Sequence, residues 1–219
     1  MYNKMKNEFN KRTITSIILF ILLFFMFKYN YILIISLIII SLITWIEFNG
    51  IFYKLFKDNI IKFLLKLLSL FYLSSVAYII CLTSINDDIP DIWILYPLVI
   101  SISSDIGGLL FGKTFKGKKL TKISPNKTIS GSIGSFIFSL SLIPIFLNQL
   151  LGYSLLSIIL ITIFISLVSQ LGDLFISFLK RKTKIKNTGD ILPGHGGFLD
   201  RVDGIIFALP IGFMLFLIY

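Results

Sequence analysis

Carboxylates, cations and glycines are concentrated between Gln170 and Asp203, in a combination that suits metal-assisted chemistry on phosphates. The segment reads QLGDLFISFLKRKTKIKNTGDILPGHGGFLDRVD. Three of its acidic residues stand inside or at the mouth of apolar stretches, namely Asp173, Asp200 and Asp203. Six basic residues lie among them, namely Lys180, Arg181, Lys182, Lys184, Lys186 and Arg201. Carboxylate oxygens bind Mg²⁺, and ammonium and guanidinium groups bind phosphate.

Asp173 is the strongest single candidate because it stands within an apolar segment, seven residues before Lys180. A carboxylate in a membrane span costs roughly 2.5–3.5 kcal/mol on insertion scales, so a functional role is expected. Polar residues follow it at helical spacing on one face, namely Ser166, Gln170 and Ser177. The alternative is a structural stripe in which these groups hold neighbouring helices together.

Asp200 and Asp203 stand three residues apart at the start of the last apolar segment, and therefore face the same side of a helix. Two such charges repel each other unless a cation lies between them, and Mg²⁺ commonly bridges carboxylates to substrate phosphates. We predict a metal site there, with Asp173 as a third ligand and Asp105, at the end of a serine-rich patch, as a fourth. The alternative is an interfacial helix N-terminus, where acidic residues are favoured anyway.

The glycine-rich turn contains the chain's only histidine, His195. Its glycines, Gly194, Gly196 and Gly197, allow backbone N–H groups to converge on an anion. His195 is predicted to donate to a phosphate or to protonate a leaving group. A loop histidine without a role is the alternative.

A second basic loop contains Ser124, Lys127 and Thr128 around a proline turn, and these side chains can donate to phosphate oxygens. A lipid-binding loop without catalysis is the alternative. Just before it, the stretch 107–114 fits the nucleotide-binding pattern G-x-x-x-x-G-K-[ST]. We reject that pattern because an apolar helix precedes it and a basic loop follows, whereas a P-loop joins a buried strand to a helix.

The elements that position these residues are predicted to be membrane helices. The chain has 219 residues, of which 56% are hydrophobic, and a mean hydropathy of +0.90, well above a soluble domain. We predict an all-α helical bundle that forms one integral membrane domain over residues 1–219, with N-terminal spans over about 13–82 and a catalytic-motif region over about 92–212. Seven spans are expected, near 13–27, 31–48, 61–82, 92–111, 130–147, 154–179 and 203–219.

The distribution of charge predicts the orientation. With seven spans, 20 of the 21 basic residues fall on one side and only Lys28 falls on the other, so the N-terminus and the candidate site are expected in the cytoplasm. Glu47, two residues after Trp45, is interpreted as an interface residue. The single cysteine, Cys81, excludes an internal disulfide and a cysteine-cluster zinc site, and no nucleic-acid partner is expected.

The motif S-x-x-K-R-x4-K-x-x-G-x-x-L-P-G-H-G-G-x-L-D-R-x-D, which runs from Ser177 to Asp203, resembles the signature of phosphatidate cytidylyltransferases (CDP-diacylglycerol synthases). An earlier stretch fits the same family through Asp105, Gly107, Phe111, Gly112, Lys113, Ser124, Pro125, Lys127, Thr128, Gly131 and Gly134. The resemblance covers about residues 105–210. Residues that depart from the family's usual choices include Ile176, Asn187 and Ser130.

The resemblance implies transfer of a cytidylyl group from CTP to phosphatidate, giving CDP-diacylglycerol and pyrophosphate, at the inner membrane of a bacterium. Mg²⁺ or Mn²⁺ is the expected cofactor, a second cation is an open alternative, and a homodimer is the suggested assembly. The expected catalytic residues are Asp173, Asp200, Arg201, Asp203 and His195. The expected phosphate-binding residues are Ser124, Lys127, Thr128, Lys180, Arg181, Lys186, Gly194, Gly196 and Gly197.

Two other functions stay open. One is a related nucleotidyltransferase or kinase that acts on an isoprenoid or lipid phosphate. The other is an ion or solute carrier that keeps carboxylates within its spans, although such sites usually lie near the midplane between repeated halves. The chain shows no internal repeat, and its carboxylates lie toward one face of the predicted bundle.

Overall fold

The computed structural model describes residues 13–218 except 16, 20, 27, 122, 126 and 192–195, and these described residues form helices, turns and loops, with an isolated antiparallel β-bridge between Lys119 and Thr128. The helices are α1 (Asn30–Leu55), α2 (Asn59–Ile85), α3 (Ile92–Phe115), α4 (Ile129–Leu140), α5 (Ile143–Phe146), α6 (Leu155–Lys182), α7 (Leu199–Val202) and α8 (Ile205–Ile218). The described residues between 13 and 26 are also helical. The predicted all-helical fold class is thus confirmed.

Five helical segments of the described chain are long and apolar enough to cross a membrane: Asn30–Leu55, Asn59–Ile85, Ile92–Phe115, Ile129–Phe146 and Leu155–Lys182. They correspond to five of the seven predicted spans. The first and last predicted spans coincide with shorter apolar helices, Thr13–Met26, part of which lies outside the described residues, and Ile205–Ile218. The count of seven stays a prediction.

The chain divides into two compact units, and the first comprises residues 1–85 and 182–201. Within it, α1 and α2 pack as an antiparallel pair joined by a three-residue connection. Asn30 Nδ2 donates to the carbonyl of Ser84 over 2.9 Å at one end, and Trp45 Nε1 donates to that of Lys66 over 3.0 Å further along. Because α1 keeps large aliphatic side chains exposed on one side, that side suits contact with lipid.

The second unit comprises residues 86–181 and 202–219. Its core is aliphatic and aromatic, and contains Ile92, Tyr96, Ile100, Ile143, Leu150, Ile158, Ile161, Ile165, Ala208 and Phe216. Hydroxyl groups join α3 to α6 through three hydrogen bonds, Tyr96 to Thr162 at 2.5 Å, Ser101 to Ser169 at 2.7 Å and Ser104 to Ser166 at 3.0 Å. Hydrogen bonds between helices matter in an apolar setting because a lone hydroxyl there finds no water.

Glycines bring the helices of this second unit close together. A Cβ atom added to Gly107 of α3 would lie 2.5 Å from Cβ of Phe138 and 2.6 Å from the carbonyl oxygen of Gly134. Directly before α8, a Cβ at Gly204 would lie 2.5 Å from Oγ of Ser169, so the lack of a side chain at this position permits close packing. The backbones therefore approach closely where the site is built.

The rejected nucleotide-binding pattern lies entirely within α3, which continues as a helix to Phe115. Gly107, Gly108 and Gly112 face α4 so closely that added Cβ atoms would meet its residues. These glycines serve helix packing, and the rejection of a P-loop is confirmed.

We predict that Gly107→Ala destabilises the protein although alanine favours helices. The new methyl group would overlap backbone atoms of α4, and overpacking costs typically about 1–3 kcal/mol, more than the gain of up to about 1 kcal/mol in helix propensity. Gly50→Ala is the matched control, because Gly50 is also helical and a Cβ there meets nothing within 4 Å. Thermal unfolding in one detergent should show a lower midpoint for Gly107→Ala only; equal shifts would contradict the packing interpretation.

Candidate active site

A cavity of about 660 Å³ opens within the second unit and collects several of the predicted site residues. Its wall is formed by α3, α4, α6 and the basic loop before α4, and includes Asp105, Ser124, Lys127, Thr128, Gln170 and Asp173. Residues that are distant in sequence thus line one cavity. It contains both acidic and basic groups, as a site for a phosphate with a cation would require.

An ion pair between Lys127 and Asp173 forms part of this wall. The side chains of the two residues are 27% and 24% exposed, so both stay accessible from the cavity. Ser177 Oγ also donates to Asp173 over 3.3 Å, one helical turn further along α6. The charge of Asp173 is therefore compensated from the loop and from its own helix.

The basic loop holds Lys127 in place through its own backbone. The amide of Lys127 donates to the carbonyl of Ser124 over 3.1 Å, and its carbonyl accepts from the amide of Leu120 over 2.8 Å. The next residue, Thr128, caps α4 by accepting a hydrogen bond from the amide of Gly131 over 3.0 Å. The turn and the cap together direct Lys127 toward α6.

Asp105 and Asp203 belong to the same electrostatic cluster as Asp173. Asp203 is buried and hydrogen-bonded to Asp173, and it experiences the negative charge of Asp105 and the positive charge of Lys180. Asp105 is exposed toward the cavity and experiences the charges of Asp173 and Lys127. Two carboxylates in hydrogen-bond contact share a proton or a cation, since two bare charges would repel.

In the part of the chain that the structure describes, no group of three or more His, Cys, Asp or Glu side chains is arranged to hold a metal ion. Mg²⁺ does not require such a cage, because it is usually bound by one or two carboxylates together with water and substrate phosphates. The oxygen-rich pair Asp173 and Asp203 fits that smaller donor set. The four-carboxylate site stays a prediction.

Asp200 has a local structural role in the first unit. Its Oδ2 accepts hydrogen bonds from the amide of Thr188 over 2.9 Å and from the amide of Gly197 over 3.2 Å. Gly196, just before, has φ +85°, a left-handed conformation that glycine adopts without strain. The amide of Gly197 already donates to Asp200, and the role of Gly197 in a phosphate cradle stays a prediction.

The other predicted phosphate ligands differ in exposure. Arg181, Lys186 and Arg201 are exposed and Lys180 is half-buried, so the first three cations are open to solvent or headgroups. Gly194 and His195 lie outside the described residues.

The polar stripe of α6 divides between two functions. Ser166 of the stripe hydrogen-bonds to Ser104 of α3 and so holds the two helices together, which is the structural role weighed as an alternative. Gln170 accepts a hydrogen bond from Ser132 of α4 over 2.5 Å and lines the cavity beside Asp173. The stripe thus changes from packing to site as it approaches the end of the helix.

Glu47 has a binding role that sequence reasoning did not predict. Its position at the membrane interface stays a prediction, and within the protein only 3% of its surface is exposed. Its carboxylate accepts hydrogen bonds from Thr188 and from the amides of Phe198 and Leu199. The signal that selects Asp173, a carboxylate within an apolar helix, applies equally to Glu47 and would have identified it.

The residues that depart from the family's usual choices have local roles. Ile176 is fully buried, Ser130 donates to the carbonyl of Lys116, and Asn187 packs against Gly196, where an added Cβ would lie 3.1 Å from Cγ of Asn187.

Comparison with known proteins shows which proteins this chain is similar to. The phosphatidate cytidylyltransferase of Bacillus subtilis (strain 168) is 44% identical over 128 residues, covering 58% of this chain and 47% of that protein. The phosphatidate cytidylyltransferase of Staphylococcus haemolyticus (strain JCSC1435) is 43% identical over 122 residues, covering 54% and 46%. That of Staphylococcus aureus (strain COL) is 44% identical over 122 residues, with the same coverage. The chain spans about half the length of the curated relatives it matches.

The resemblance drawn from the signature is confirmed by these relatives and by a family profile. The profile, described as Cytidylyltransferase family, matches residues 2–219. The chain therefore belongs to the cytidylyltransferase family.

Proposed function

We propose that this protein transfers the cytidylyl group of CTP to phosphatidate, forming CDP-diacylglycerol and pyrophosphate. The observation that carries the proposal is the Lys127–Asp173 ion pair in the wall of a cavity lined by apolar helices. Such a site offers a cation for phosphate and a carboxylate for a metal beside the apolar surroundings that acyl chains require. The relatives named phosphatidate cytidylyltransferase support the same substrates.

The reaction needs alignment and charge compensation more than a strong base. An oxygen of the lipid phosphate forms a bond to the α-phosphorus of CTP, and the bond from that phosphorus to the bridging β-phosphate oxygen breaks, so that the electron pair leaves with pyrophosphate. A phosphomonoester has a second pKa of about 6, and is therefore largely a dianion at neutral pH. Lys127 is positioned to hold one phosphate and offset its charge.

The carboxylates have complementary roles in this proposal. Asp173 and Asp203 would hold Mg²⁺ or Mn²⁺, with Asp105 toward the cavity and Asp200 completing the predicted set. The ion, when bound, would draw negative charge from the phosphate oxygens. Lys180, Arg181, Lys186 and Arg201 would add positive charge for the triphosphate and the lipid headgroup.

The finer membrane arrangement is part of the same proposal. Seven spans, a cytoplasmic N-terminus and a site at the inner face of a bacterial membrane agree with the distribution of charge. A homodimer is the proposed assembly.

The first test is the reaction itself. Purified protein in detergent should convert CTP and phosphatidate to CDP-diacylglycerol in the presence of Mg²⁺ or Mn²⁺, and chelation of the metal should abolish turnover. Product analysis distinguishes the alternatives, because a kinase would yield phosphorylated lipid from ATP. Such a product, or no lipid product with any nucleotide, would contradict the proposal.

The carboxylates are tested by removing charge while keeping shape. If Asp173 and Asp203 act on one cation, Asp173→Asn and Asp203→Asn should each lower kcat by about 10²-fold or more. The double variant should lose little beyond the worse single variant, because groups that serve one ion are not additive. Initial rates are measured against Mg²⁺ concentration at matched folded yield. Asp88→Asn in the predicted outer loop is the control; rates near wild type for both site variants would leave the carboxylates as packing groups.

Topology is tested by single cysteines in a Cys81→Ser background. A cysteine at Lys118 and one at Lys184 should react with a membrane-impermeant maleimide only from the cytoplasmic side, and a cysteine at Asp88 only from the outside. Labelling of positions 118 and 184 from opposite sides would exclude the seven-span arrangement.

A further inference from the structure

Glu47 is a buried carboxylate that binds the second half of the signature region from the middle of α1. Its Oε2 accepts hydrogen bonds from Oγ1 of Thr188 over 2.7 Å and from the amide of Leu199 over 2.8 Å. Its Oε1 accepts from the amide of Phe198 over 2.9 Å. Two separate pieces of the loop, one around Thr188 and one around Phe198 and Leu199, therefore meet on one side chain.

Asp200 connects the same two pieces from within the loop. It accepts from the amides of Thr188 and Gly197, so Thr188 is held by its hydroxyl on Glu47 and by its amide on Asp200. The amide of Arg201 in turn donates to the carbonyl of Phe198 over 2.9 Å. A continuous series of hydrogen bonds thus leads from Glu47 to Asp200 and to the backbone of Arg201.

Two glycines leave the space that this arrangement needs. A Cβ at Gly189 would lie 2.7 Å from Oε1 of Glu47, and a Cβ at Gly197 would lie 2.6 Å from Oε2. These contacts are shorter than carbon and oxygen tolerate without displacement. The carboxylate of Glu47 gives these two positions a reason to be glycine that is independent of any bound anion.

We propose that Glu47 is a positioning residue, whose carboxylate fixes the turn that presents Asp200 and Arg201. This inference rests on the proposed function for what Asp200 and Arg201 do, since it assigns them to a cation and to phosphate. Glu47 acts through Thr188, Phe198 and Leu199, and we call this group of four residues the Glu47 clamp.

Glutamine cannot replace the carboxylate. If the glutamine oxygen takes the Oε1 position, the glutamine NH₂ group faces the backbone N–H of Leu199. If the side-chain amide is flipped, the NH₂ group faces the backbone N–H of Phe198. In either orientation the glutamine NH₂ and a backbone N–H face each other as two donors, so one backbone N–H loses its acceptor. Glu47→Gln should therefore loosen the turn while keeping the size of the side chain.

Hydrogen exchange tests the clamp independently of activity. In the wild type, amides of Phe198 and Leu199 should be protected, and Glu47→Gln should remove that protection while the amides of α1 stay protected. Unchanged exchange at Phe198 and Leu199 would overturn the clamp whether or not the protein is a cytidylyltransferase. Suppose instead that Glu47→Gln removes the protection but the wild type never forms CDP-diacylglycerol. That result would overturn the proposed function and the catalytic purpose of the clamp, while the hydrogen bonds of the clamp would stand.

Kinetics test the positioning role. Glu47→Gln should lower kcat by about tenfold or more, since small misplacements near reacting groups have large effects, at matched folded yield. Thr188→Val, which removes the hydroxyl, should also lower kcat, and Thr188→Ser should restore it. Thr44→Val is the control, because the Thr44 hydroxyl, one turn earlier on α1, bonds to the carbonyl of Ile40 within the same helix.

The outcomes separate positioning from simple stability. If the Glu47→Gln variant has a lower unfolding midpoint but the wild-type kcat, Glu47 has a structural role only and the positioning role is overturned. If Glu47→Gln does not fold, the comparison of Thr188→Val with Thr188→Ser decides, and equal kcat and equal exchange in that pair would overturn the proposal.

Discussion

A carboxylate among apolar helices has to be compensated, and the compensation of Asp173 and Glu47 organises much of this structure. Asp173 is paired with Lys127 from a loop, and Glu47 is surrounded by one hydroxyl and two backbone amides. In water each contact would contribute little, but in an apolar environment an uncompensated charge is costly. The basic loop before α4 and the loop within the signature therefore take conformations that bring donors to these carboxylates.

Helix packing in the second unit supports the pairing of Lys127 with Asp173. The serine pairs between α3 and α6 and the glycine contacts between α3 and α4 leave little freedom for the helices to slide. Thr128 caps α4 directly after Lys127, so the position of the lysine is linked to the start of a packed helix. A lysine that must meet a carboxylate in a cavity wall benefits from such support, because each flexible side chain loses entropy when it is held.

Much of this could be read from the sequence, and the rest failed for identifiable reasons. Long apolar runs predicted the helices, and the insertion cost of a charge singled out Asp173. The pairing of Lys127 with Asp173 could not be predicted, because nothing local joins a loop lysine to a distant helix. The binding role of Glu47 could not be predicted either, because the hydroxyl and amides that it accepts from lie 141 to 152 residues further along the chain. The engagement of Asp200 by amides likewise depends on how the loop folds back on itself.

The bond between Glu47 and Thr188 joins residues 141 positions apart, and this affects how the region can be exchanged between relatives. The signature looks like a portable motif, since its glycines and charged residues are contiguous. Its folded form nevertheless depends on an acceptor in the first long helix. A chimera that combines the signature of one protein with the amino-terminal helices of another would keep this conformation only if both halves preserve that carboxylate and the small residues around it.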